Sequence, residues 1–182
     1  MKQLLITIAA VVLVGCGRDE EQLFYAALEG KTETVKLYLK NGAKADAEIQ
    51  LGNKRRPWKR SVGSATALHV AKTSEIAKLL IKHGANSEAV IKVHDDTTSG
   101  FGKKGLYGFI AGDTPLLTAI SDDRKDVVEI LIKSGVNLNS QGNSDSTPLD
   151  RAIGVHGKDK EITDLLRKHG GKTGEELKAE GK

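Results

Sequence analysis

The chain has a single cysteine, Cys16, among 182 residues, so an intramolecular disulfide is excluded. Aromatic residues make up only 4%. That is sparse for the core of a β-sandwich or barrel and sufficient for helices packed through Leu, Ile, Val and Ala. Neither sign of charge dominates. Lys and Arg number 28 against 24 Asp and Glu, a formal net charge of +4. This is too mild to dictate a partner by itself. Long apolar runs are missing except for one, "LLITIAAVVLV", from Leu4 to Val14, broken only by Thr7.

That run is too short to span a bilayer comfortably and has the length of a signal-peptide core. No helical or strand period fits it, which argues against a buried amphipathic element. Lys2 precedes it, and it ends in "LVGC", residues 13–16. Here the sequence resembles a bacterial lipoprotein signal. The resemblance implies cleavage of residues 1–15 and acylation of Cys16. Two or three acyl chains anchor a protein stably where one does not. Residues 16–20 then form a lipidated N-terminus and short tether, and 21–182 the folded domain. Gly17 rather than Asp follows the cysteine, which implies the periplasmic face of the outer membrane in a Gram-negative envelope.

The rest of the chain repeats itself. "TALH" (66–69), "TPLL" (114–117) and "TPLD" (147–150) are each followed two positions on by an alanine, Ala71, Ala119 and Ala152. Each is then followed by a second apolar segment: "EIAKLLIKHG" (75–84), "DVVEILIKSG" (126–135) and "EITDLLRKHG" (161–170). An earlier copy, "LFYAALEGKTETVKLYLKNG" (23–42), lacks the threonine and proline. These segments resemble ankyrin repeats, and the 33-residue offset from Thr114 to Thr147 equals the period of that family. The expected fold is an all-α ankyrin-repeat solenoid of about four helix-turn-helix repeats with β-hairpin fingers. The repeats fall at about 21–47, 66–88, 114–140 and 147–172.

The motif has physical reasons. A Thr hydroxyl caps the first helix, and Pro suits the first helical position. Val127, Ile130 and Leu131 share one helical face. Gly42, Gly84, Gly135 and Gly170 each follow a helix end, where a left-handed residue is needed. Glu20, Glu21 and Gln22 start the first copy as exposed polar residues. Thr173 and Glu176 have capping-box spacing, which allows a short polar last helix; the alternative is a frayed tail.

Departures from the motif point to function. From threonine to helix-ending glycine the second copy takes 18 positions (66 to 84) and the third 21 (114 to 135). The shortfall is expected in the inter-helix turn "KTS". In the fourth copy "VHGKD" reads as a longer turn. The connections differ more, with insertions at 48–63 and 89–112. "EIQL" (48–51) is expected to pair with "WKRSV" (58–62), and "VIKVH" (90–94) with "LYGFI" (106–110), giving two enlarged hairpin fingers.

Four of the seven aromatics, Trp58, Phe101, Tyr107 and Phe109, lie in these insertions. Aromatics beside Arg and Lys are what interface hot spots are made of. The candidate partner-binding residues are therefore Arg55, Arg56, Trp58, Lys59, Arg60, Phe101, Lys103, Lys104, Tyr107 and Phe109. The alternative is that these aromatics pack the hairpins on each other or on the solenoid.

"KRRPWKR" (54–60) holds five basic side chains and, read alone, looks like a nucleic-acid patch. A lipoprotein lies outside the cytoplasm, so nucleic acid is not the expected partner. "GFGKKG" (100–105) has the glycine spacing of a dinucleotide loop but no strand before it or helix after it. "HDD" (94–96) reads as a solvated turn rather than a metal site. His69 stands at a motif position where the resemblance implies structural hydrogen bonds. No catalytic set is distinguishable, so neither enzyme activity nor a cofactor is expected. The leading reading is a membrane-anchored scaffold that binds another envelope protein through its fingers and concave face, in a sharper variant as an inhibitor or immunity-type protein. The alternative is an adaptor for anionic lipid or a polyanion surface. The expected state is a monomer.

Overall fold

The computed structural model describes residues 19–51, 63–93, 110–141, 146–156 and 160–181. Helices α1 (Asp19–Glu29) and α2 (Thr32–Lys40) form an antiparallel hairpin joined by Gly30 and Lys31. A short sheet follows, with β1 (Ile49–Leu51), β2 (Gly63–Ala65) and, after helix α3 (Ser74–Lys82), β3 (Lys92–Val93). Two further helix pairs are α4 (Pro115–Ser121) with α5 (Lys125–Lys133), and α6 (Pro148–His156) with α7 (Lys160–Lys168). A short last helix, α8 (Gly174–Ala179), ends the described chain. Helices α2, α3, α5 and α7 pack side by side in chain order, and α4 packs on α6. This is a helical repeat architecture. No helix among the described residues is long and apolar enough to cross a membrane.

One continuous apolar cluster runs from Leu23 to Leu166. Each second helix feeds it with one face. In α5, Val127, Val128 and Leu131 are fully buried, and Ile130 packs partly against the cluster. Ala71, Ala119 and Ala152 are buried as well, which lets neighbouring units approach closely.

The predicted start and stop signals operate as expected. Thr114 Oγ1 accepts from the Leu117 N–H at 3.4 Å, with Pro115 in the first turn. Thr147 and Asp150 cap each other: the Asp150 N–H donates to Thr147 Oγ1 at 3.2 Å and the Thr147 N–H to Asp150 Oδ2 at 3.1 Å. The four helix-ending glycines all have positive φ, between 83° and 94°. Thr173 and Glu176 form a complete capping box on α8, so the C-terminus is helical rather than frayed up to there.

Three expectations need correction. The second unit has no first α-helix. Residues 67–70 form tight turns instead, in which the His69 N–H donates to Thr66 O and the Val70 N–H to Ala67 O, three residues back rather than four. The "KTS" segment survives, since Thr73 Oγ1 caps α3 through the Ile76 N–H at 3.3 Å. The three missing residues are counterparts of Ile120, Ser121 and Asp122, at the end of a first helix, and a helix that loses its last turn cannot close the usual hydrogen bonds.

Next, β1 pairs with residues 63–65 rather than with "WKRSV", in the register Ile49↔Ala65, Gln50↔Ser64, Leu51↔Gly63. The described part of "VIKVH" makes a pairing that was not expected: β3 runs antiparallel to β2, Gly63↔Val93 and Ser64↔Lys92, while all of "LYGFI" but Ile110 lies outside the described residues. Last, in the fourth unit α6 extends through Val155 and His156, where "VHGKD" reads as a turn.

Candidate interaction surface

The order β1-β2-β3 joins the bases of both insertions in a single sheet. Leu51, Gly63 and Val93 stand opposite one another at one end of that sheet. The described chain therefore leaves the sheet at Leu51 and Val93 and enters it at Gly63, all at one end. Glu48 ties the strands from outside: its carboxylate takes a hydrogen bond from Ser64 Oγ at 3.2 Å and pairs with Lys92 Nζ. The base of the second insertion closes where the Ile91 N–H donates to Asp113 O at 3.0 Å and the Gly112 N–H to Ile91 O at 2.8 Å.

Beneath the sheet lies a set of buried polar side chains. His69 is fully buried. Its Nδ1 accepts from the Thr66 N–H at 3.2 Å and lies 2.9 Å from Thr66 Oγ1. Its Nε2 lies 3.1 Å from Ala89 O and 3.2 Å from Asp113 O. Two carbonyls require a donor, so these partners assign the neutral ring with its proton on Nε2. Burial, the largest cause, pushes the imidazole down to about 4 from 6.5. The histidine is thus structural, as its motif position implied, and it touches both ends of the second insertion.

Arg124 fills the place of the missing helical turn. It donates through Nη1 to Ala71 O at 2.6 Å and through Nη2 to His69 O at 2.8 Å. These carbonyls end a truncated turn and need donors from elsewhere. Burial lowers the pKa of the guanidinium, which also pairs with Asp122 at 3.3 Å. Arg151 from α6 makes a two-pronged contact with the Asp113 carboxylate, at 3.0 and 2.9 Å, and a bond to Ser121 Oγ at 2.9 Å. The Asp113 and Arg151 side chains are 3% and 10% exposed. Desolvation raises the Asp113 carboxyl above the usual range, and Arg151 opposes that rise. His69, Arg124 and Arg151 together link Thr66, Ala71, Ala89 and Asp113, which flank the sheet in the chain, across three successive helical units.

Solvent reaches the first-segment layer mainly at its two ends. Residues 63–71 and 113–120 are buried throughout. Exposed positions are Glu21, Gln22, Leu28 and Glu29 in α1, and Ile153, Gly154 and Val155 in α6. The expected contribution of a concave first-helix face is accordingly narrowed to those ends. Val90, Ile153 and Val155 are the most exposed large aliphatic side chains described, at 46%, 46% and 49%.

The sequence-predicted site residues lie outside the described residues: Cys16, Arg55, Arg56, Trp58, Lys59, Arg60, Phe101, Lys103, Lys104, Tyr107 and Phe109. So do "GFGKKG" and "HDD". Among the described residues no group of three His, Cys, Asp or Glu side chains is placed to hold a metal ion. Sequence reasoning missed Arg124, Asp113 and Arg151. The three-residue shortfall marked the place but not its cause; only the structure shows that a first helix is cut there and leaves carbonyls for Arg124 to meet.

The ankyrin repeat family model matches residues 65–92 and 111–143, the second and third units. The match supports an ankyrin repeat protein. No curated protein matches the chain.

Proposed function

We propose that this chain, built from four ankyrin repeats, is a protein-interaction module that displays its two insertions toward an envelope protein while Cys16 holds it to a membrane. Ankyrin repeats generally mediate protein–protein contacts, and the match over the second and third units supports a binding role. The carrying observation is where the described chain breaks off for the insertions: Leu51, Gly63 and Val93 stand together at one end of a single sheet. A rigid base lowers the ordering cost that a binding loop otherwise incurs on association. Insertion residues Trp58 and Phe109 supply aromatic anchors, with Arg55, Arg56, Lys59 and Arg60 around the first. The chain acts by occupying its partner's surface, as an inhibitor or immunity-type protein does, and not by covalent chemistry.

Two experiments separate the parts of this reading. Full-length chain captured from its native envelope is expected to bring down one partner at fixed stoichiometry, and Trp58→Ala or Phe109→Ala is expected to abolish the capture. Binding that instead follows anionic vesicles and collapses with moderate salt favours the lipid-adaptor reading. Metabolic labelling with a fatty-acid probe is expected to mark the wild-type chain and not Cys16→Ser. Equal labelling of both defeats the anchor.

A further inference from the structure

The two ends of the second insertion meet on one nitrogen. His69 Nε2 reaches Ala89 O on the entering side and Asp113 O on the leaving side, 24 residues apart in the chain. The peptide pairs beside it, Ile91 with Asp113 and Gly112 with Ile91, continue the same closure. The opposite ring nitrogen is also engaged, accepting from the Thr66 N–H. This arrangement favours the neutral ring. A proton on Nδ1 could be donated to Thr66 Oγ1, 2.9 Å away, but it would confront the Thr66 N–H and leave that donor buried without an acceptor. It would also place a full charge in a site with no exposure.

The surrounding charges do not relieve that cost. Arg124, from the α4–α5 connection, donates to the backbone oxygen of His69 itself and carries a positive charge. Arg151, from α6, spends its own charge on the Asp113 carboxylate. Among the described residues the further acids near Arg124 are Asp122, which pairs with it, and Asp126, which accepts from the Ser74 N–H. A protonated ring is therefore tolerated only outside the site, in water, where it no longer holds Ala89 and Asp113.

We infer that His69 is an acid-operated latch on the base of the second insertion, closed while the imidazole is neutral and opened when the ring takes a proton. The inference goes beyond the binding role: it makes presentation of this insertion depend on pH, whatever the partner is. Opening is local. It releases Ile91 and Gly112 from their cross-pairs and leaves the helix rows packed, since α3 packs directly on α5 and α5 on α7.

Amide hydrogen exchange on the full chain between pH 7.5 and 4.5 tests this. Protection factors at Ile91 and Gly112 are expected to fall tenfold or more as pH drops, while Leu131 and Leu166 keep theirs. In His69→Gln the pH-dependent fall is expected to vanish. If Ile91 and Gly112 hold their protection, or lose it in step with Leu131, the latch is overturned. The wild-type ring gives an independent readout that survives a poorly folding variant. Its ¹⁵N signals should show the Nε2–H form at pH 7.5 and keep it well below 6.5, while Gly112 protection already falls; a ring that titrates near 6.5 with Gly112 protection intact overturns the inference. Asp113→Asn retains the backbone acceptor and removes the competing carboxyl. A pH response that disappears in that variant belongs to Asp113 and overturns the assignment to His69.

Discussion

At the scale of single residues, stability is concentrated in side chains that satisfy backbone groups left over by shortening. Arg124 answers for two carbonyls, on His69 and Ala71. Arg124→Met keeps the aliphatic packing and removes both donors; about 2–3 kcal/mol of unfolding free energy should be lost in urea melts. His69 links stability to pH. An unfolded chain protonates this ring as pH falls through 6.5, whereas burial holds the folded ring unprotonated down to about 4. Its contribution is therefore complete above pH 6.5 and is lost as pH falls toward 4. The loss is on the order of 3 kcal/mol. Asp113 works the other way, because burial raises its carboxyl and acid then favours the folded state. Denaturation across this pH range is expected to show the His69 slope in wild type and its absence in His69→Gln. Gly30 carries a different constraint. Its φ is +78°, and an added Cβ would sit 3.1 Å from Lys72 Cδ. Gly30→Ala should cost about 1–2 kcal/mol in the same assay.

Among elements, the caps decide where helices begin and how the last one is held. Asp150 serves two: it completes the box on α6, and its Oδ2 accepts from the Gly174 N–H at 2.9 Å. Asp150→Ala should lower stability by about 1–2 kcal/mol and accelerate exchange at Gly174 before other α8 amides. The outer helices are registered by polar contacts at successive junctions. Lys36 meets Glu75 at 3.0 Å, the Ser74 N–H donates to Asp126 at 2.8 Å, and Lys125 meets Glu161 at 3.0 Å. Being exposed, these contacts set alignment more than energy. Much at this scale was legible in advance. Thr114, Pro115, Thr147 and the four glycines are local signals, and each governs only its own turn. The sheet was not legible, because pairing β3 with β2 joins residues 28 to 30 positions apart across an intervening helix. Nor was the loss of a helix in the second unit. A three-residue shortfall says that something is missing without saying which side of Lys72 gave way.

Across the whole molecule, Asp113 and Arg151 form a buried ion pair between the third and fourth units, where the Lys125–Glu161 contact is exposed. Each partner alone is a liability. Arg151→Met strands a buried carboxylate and should cost about 3–5 kcal/mol, while Asp113→Leu with Arg151→Met together should cost far less. A double-mutant cycle by denaturant unfolding measures the difference; equal costs would mean that the two side chains are not coupled. The candidate binding residues were legible only as composition, as aromatics and cations gathered in two insertions. What the structure adds is their point of departure and the machinery that fixes it.

That shared departure alters what kind of repeat protein this is. Linear arrays are usually modular: a repeat contacts only its neighbours, so cassettes can be added, removed or exchanged. Here β2 belongs to one insertion and is the central strand between β1 and β3, which belong to two different insertions. Neither can be swapped for a consensus hairpin without stripping the other of a strand. The middle of the array is inherited, or engineered, as one piece.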